Sequence, residues 1–102
     1  MNPFAYTPIP DGPITFDLTG CKDWKELYRR IRQAFGLPTV CGENWDGVWD
    51  FLSDAIEYGE ERLILVKGAD TMPVDLQDYA LPLWKIFDDL QEKYPLVRVE
   101  YC

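Results

Sequence analysis

Asp46, Asp50 and Asp54 recur every fourth residue, and Glu57 extends the series. An α-helix advances about 100° per residue, so these four carboxylates share one face. Val48, Phe51, Leu52, Ala55, Ile56, Trp45 and Trp49 fall on the other side. Like charges at i, i+4 cost about 0.2–0.5 kcal/mol per pair. Carboxylates near a helix C-terminus also oppose the helix dipole. Local stability therefore does not explain the stripe. Between Arg32 and Arg62 there are seven acidic residues (Glu43, Asp46, Asp50, Asp54, Glu57, Glu60 and Glu61) and no Lys or Arg. Three chemistries use such a surface. Paired carboxylates can act as acid and base, as in glycoside hydrolysis, but one of them then needs an apolar pocket. Oxygen ligands can hold Mg²⁺ or Ca²⁺, but the EF-hand spacing is absent. An acidic face can also steer and dock a basic partner. A solvated face on an acidic protein, or neutralisation in space by cations of a neighbouring helix, is the plain alternative.

The rest of the composition narrows these choices. The chain has 102 residues, 47% of them hydrophobic and 15% aromatic, which suits one folded domain. Ten Lys and Arg against 18 Asp and Glu leave a net charge of −8. That charge repels phosphate backbones, so no direct nucleic-acid binding is expected. There is no His, which removes Ser-His and Cys-His catalysis and His-containing zinc sites. No catalytic residue and no cofactor is expected. Cys21, Cys41 and Cys102 form no CxxC pair, and their odd number suggests free thiols in a reducing compartment. No secretory leader and no apolar run long enough for a membrane are apparent, so the expectation is a cytoplasmic protein without a membrane partner.

The elements that must position the acidic face are readable in outline. Pro3, Pro8, Pro10 and Pro13 mark residues 1–13 as an arm. Residues 14–18 alternate apolar and polar, predicting a strand. Asp23 and Glu26 form a capping-box pattern that opens a helix ending at Gly36, with a basic outer face of Lys25, Arg29, Arg30 and Arg32. Residues 37–43 read as a loop. Asn44 is a good N-cap for a second helix over 44–57. Residues 63–66 form a short buried strand. A third helical region over 74–93 is split or restarted by Pro82, and residues 96–101 form a last strand. Strands separated by helices imply parallel pairing with right-handed crossovers. The expected fold is α/β, a three-stranded parallel sheet with helices packed on it.

The segment Leu37-Pro38-Thr39-Val40-Cys41-Gly42-Glu43-Asn44-Trp45-Asp46-Gly47-Val48-Trp49-Asp50 resembles the core motif of the barstar family, small intracellular inhibitors of bacterial ribonucleases. The family pattern runs Leu-Pro, two residues often aromatic, Gly-x-Asn, an apolar residue, Asp, Ala-Leu, then Trp-Asp. The likeness extends weakly over residues 14–101 and divides the chain into the arm, 1–13, and a barstar-like domain, 14–102. It implies an immunity-type protein whose acidic helix and preceding loop enter a ribonuclease active site, with carboxylates in the place of RNA phosphates. The partner implied is a basic ribonuclease of the extracellular type. The implied contact set is Val40, Cys41, Gly42, Asn44, Asp46, Trp49, Asp50, Ser53 and Asp54, joined by Asp89 from the last helix. Asp50 is the main phosphate mimic in this reading, Asp46 a second contact, and Trp49 a support at the helix edge.

Departures from the pattern bear on the partner. Val40 stands where the family has a contacting tyrosine, and Cys41 replaces another aromatic. Gly47 replaces Ala and should loosen the helix start by about 0.5–1 kcal/mol. Asp54-Ala55 replaces Gly-Trp. A barstar-like adaptor for a basic partner that is not a nuclease is the alternative reading. Trp45 is expected in the core. Cys41, in a loop, is expected to be exposed and oxidisable.

Overall fold

The computed structural model describes residues 4–56 and 60–102. Its elements run β1 (Ile14–Asp17), α1 (Trp24–Phe35), a 3₁₀ turn (Thr39–Cys41), α2 (Trp45–Ala55), β2 (Arg62–Lys67), a 3₁₀ turn (Ala69–Thr71), α3 (Val74–Tyr79), α4 (Leu81–Lys93) and β3 (Val97–Tyr101). The strands form one sheet in the order β1-β2-β3. Both pairings are parallel, with Ile14 beside Ile64 and Ile64 beside Val99. The expected α/β architecture is the one observed.

Alternation along the strands fixes which face is covered. Ile14, Phe16, Ile64, Val66 and Val97 are buried. Thr15, Asp17, Arg98 and Glu100 are exposed on the opposite face, with Leu63 and Leu65 half-buried between them. Right-handed crossovers that step in one direction return their helices to the same side. Among the described residues the helices therefore cover one face of the sheet, unlike most parallel sheets. Phe16 of β1, Phe35 of α1 and Phe87 of α4 meet with ring centroids 5.7, 6.1 and 6.0 Å apart. Each such pair adds about 0.5–1.5 kcal/mol beyond burial, and together they tie β1 to both covering helices.

Local signals explain the boundaries. The Asp23 side chain accepts a hydrogen bond from the Glu26 amide at 2.9 Å. The reciprocal half of the capping box is not made. The Glu26 carboxylate turns instead to Arg29 and Arg30. Gly36 ends α1 with φ of 63°, a left-handed position suited to glycine. Pro82 sits in the first turn of α4, where its missing N–H is not needed, so the 74–93 region becomes two helices. The second helix stops at Ala55; Glu57, placed on it by sequence, lies outside the described residues.

Residues 4–13 form neither helix nor strand, but they are held against the body. The Thr7 amide donates to the Gly36 carbonyl at 2.8 Å. Arg62 Nη1 donates to the carbonyls of Pro10 at 2.8 Å and Gly12 at 3.0 Å.

Candidate functional site

The acidic helix begins with a strong cap. Asn44 Oδ1 accepts from the Gly47 amide at 2.6 Å. Val48, Leu52 and Ile56 are buried beneath α2, while Asp46, Asp50 and Asp54 are exposed. At 1.5 Å rise per residue, successive carboxylates are about 6 Å apart along the axis. Four ion pairs occur among the described residues: Glu26 with Arg29, Glu26 with Arg30, Lys85 with Asp89 and Arg98 with Glu100. None involves Asp46, Asp50 or Asp54. Two cations of the α1 basic face, Arg29 and Arg30, are turned to Glu26 and not to the stripe. Arg30 also donates to the Asp17 and Thr19 carbonyls.

α4 forms one bank of the stripe. A shallow groove of about 270 Å³ between α2 and α4 is lined by Trp45, Asp46, Trp49, Pro82, Lys85, Ile86 and Asp89. Asp89, chosen from sequence on the last helix, thus shares a groove with Asp46. Its carboxylate is 3.3 Å from Lys85 Nζ. Trp49 is half-buried at the seam, with Lys93 Nζ 5.8 Å from its ring centroid. Trp45 is half-buried rather than buried. Its ring packs at a tilt against Tyr28 at 5.0 Å and Tyr79 at 5.6 Å, whose hydroxyls are 2.7 Å apart, and part of the indole lines the groove.

Two residues expected at the contact surface lie beneath it. Cys41 is 2% exposed and Ser53 is 5% exposed. The Thr39–Cys41 turn tucks the Cys41 side chain under the start of α2, with its amide bound to the Pro38 carbonyl at 3.0 Å. Burial pushes the thiol pKa up, against the opposing pull of Arg32. The expectation of an exposed, oxidisable Cys41 is therefore corrected. The exposed thiol is Cys102. Ser53 Oγ donates to the Asp50 carbonyl at 3.1 Å, and the Ser53 carbonyl accepts from the Tyr94 hydroxyl, a bond that joins α2 to the end of α4. Val40 is exposed and Gly42 half-buried. Asn44 is exposed, with its side chain engaged in the cap.

Sequence reasoning missed two features. Gly47 is required by packing, because a Cβ there would overlap the Cys41 carbonyl oxygen. The arm forms the other bank of the stripe. Tyr6 packs on Phe51 with ring centroids 6.0 Å apart, and its hydroxyl approaches the Phe51 carbonyl at 3.5 Å. Burial, then the nearby Asp54 and Cys41, raise the Tyr6 pKa. The signal for this was present as two aromatics, Phe4 and Tyr6, spaced among prolines.

The open placement of the carboxylates limits their chemistry. Among the described residues, Asp46, Asp50 and Asp54 are exposed and not held in the apolar enclosure that a general acid needs. Among the described residues no group of three Asp, Glu or Cys side chains converges as metal ligands. No helix among the described residues is long and apolar enough to cross a membrane.

The described residues form a parallel α/β domain that carries an acidic helix on its surface, with none of the described ion pairs directed to Asp46, Asp50 or Asp54. The family model for Barstar (barnase inhibitor) matches residues 13–101, and the chain belongs to that family. No curated protein matches the chain.

Proposed function

We propose that the chain is a tight, stoichiometric, non-catalytic inhibitor of a basic microbial ribonuclease, acting in the cytoplasm. The observation that carries this reading is the row Asp46, Asp50 and Asp54, exposed on α2 with none of the described ion pairs directed to it. A nuclease active site that binds RNA presents cations to phosphate. The row offers those cations anionic oxygens on a preorganised helix, so little ordering entropy is lost on docking. Asp89 adds a carboxylate from α4 beside Asp46. The family description supports a ribonuclease as the partner. The three free cysteines suit a reducing compartment.

The test is titration of barnase and related basic ribonucleases with the protein, followed by the same titration with Asp50→Ala. The expected result is complete inhibition at one equivalent. Asp50→Ala should weaken binding by at least about 2 kcal/mol, as removal of a central charged anchor does. Barnase–barstar is itself a standard case behind that magnitude. Thermal melts serve as the folding control. Equal affinity of the folded variant would show that α2 is not the inhibitory element. Binding without inhibition would favour an adaptor.

A further inference from the structure

We propose that the N-terminal arm is a second part of the binding surface, in which Phe4 and Tyr6 form an aromatic wall along the α2 carboxylates and close on the rim of the basic ribonuclease. This rests on the inhibitor reading above. Residues 4–12 of the arm lie before the stretch that the family model matches, residues 13–101, so family membership does not assign them a role.

The arm is placed, not loose. Its backbone is fixed at Thr7 by the Gly36 carbonyl and at Pro10 and Gly12 by Arg62. A Cβ on Gly36 would overlap the Thr7 carbonyl oxygen, so the docking depends on a glycine there. Prolines at 8 and 10 restrict the free chain, which lowers the entropy lost when the arm is held.

Tyr6 faces outward beside the stripe, and Phe4 precedes it by two residues. Around the helix, Asp54 lies about 60° from Phe51 and about 40° from Asp50. Tyr6, seated on Phe51, therefore borders the carboxylates on the side away from α4. Tyr6 is 40% exposed and Phe4 69% exposed. A segment serving only as a brace would bury these rings. Aromatic side chains are enriched at protein interfaces, and a ring left partly exposed beside a docking face can bury further apolar area when a partner closes on it.

The surrounding charge selects the occupant. Tyr6 lines a cleft of about 360 Å³ together with Asp11, Asp54 and Glu60. The cation in that cleft, Arg62, is engaged with the Pro10 and Gly12 carbonyls. Aromatic rings set among carboxylates fit a partner whose active-site rim is basic with apolar patches, and the wall is continuous with α2.

The experiment is association and dissociation kinetics against barnase, with thermal midpoints, for the full chain and for Tyr6→Ala, Phe4→Ala and Thr7→Pro. Tyr6→Ala should speed dissociation about tenfold, with association little changed. Phe4→Ala removes a ring that is largely exposed, and it should also speed dissociation. Thr7→Pro keeps both rings but deletes the N–H that binds Gly36, and it should reproduce part of the loss. Lower thermal midpoints with unchanged dissociation would reduce the arm to a brace and overturn the inference. If Asp50→Ala abolishes binding while all three arm variants bind as wild type does, the inference falls and the inhibitor reading stands. If wild type binds neither barnase nor any of the related basic ribonucleases titrated above, both fall together.

Discussion

The Cys41 carbonyl oxygen fills the space that a side chain on Gly47 would need. The 3₁₀ turn and the first turn of the acidic helix are thereby held backbone to backbone, and the Asn44 cap closes the same junction. Propensity alone favours Ala over Gly inside a helix by about 0.8–1.0 kcal/mol. Here the contact outweighs it. Gly47→Ala should destabilise the fold by about 1–3 kcal/mol, the usual range for overpacking. Urea titration checks this, and a stabilised variant would mean that the turn is not packed on α2 as described.

Charges at the far end of α2 should act on encounter rather than on the bound state. Glu60 and Glu61 follow the stripe and are exposed. Neutralising both to Gln should slow association with a basic ribonuclease and flatten its dependence on salt, with dissociation little changed. Stopped-flow association at two ionic strengths gives the answer. An altered dissociation rate would place these residues inside the contact.

Thiol reactivity should follow burial. Cys21 and Cys41 are buried, and burial raises both thiol pKa values. Cys102 is exposed. Native-state labelling with a small maleimide should modify Cys102 alone, and all three should react after unfolding. Rapid labelling of Cys41 in the native protein would show that the Thr39–Cys41 turn opens readily.

Acid should weaken the fold through Glu26. Hydrogen bonds from Arg29 and then Arg30 hold its carboxyl down from 4.5 to about 2. The folded state thus stays ionised where the unfolded chain takes up a proton. Stability from this group is full above about pH 4.5 and is lost as pH falls toward 2. Glu26→Gln should lower the thermal midpoint at pH 7 slightly and flatten its fall between those limits. An unchanged slope would assign the acid sensitivity elsewhere.

The parts of the molecule governed by neighbours in sequence could be read without a structure. Asp23 and Gly36 bounded α1, Pro82 divided the last helical region, and the alternation Ile14-Thr15-Phe16 marked a strand. Helical spacing alone placed Asp46, Asp50 and Asp54 on one exposed side. The misreadings arose where a distant segment decides. Ser53 falls near the polar side of α2 by angle, yet α4 and Tyr94 cover it. Cys41 sits in a stretch with no periodicity to reveal which way its side chain turns. Gly47 read as a weakness because the carbonyl that requires it belongs to the preceding turn. The docking of the arm depends on Arg62, some fifty residues away in the chain.

One placement has evolutionary weight. The acidic helix rests on α4 and the Thr39–Cys41 turn, whereas the sheet is gripped mainly by α1 and α4. Substitutions at 46, 50, 54 and 89 alter the outer face without touching the register of the strands. A lineage can therefore redraw this one facet while the scaffold beneath is inherited intact.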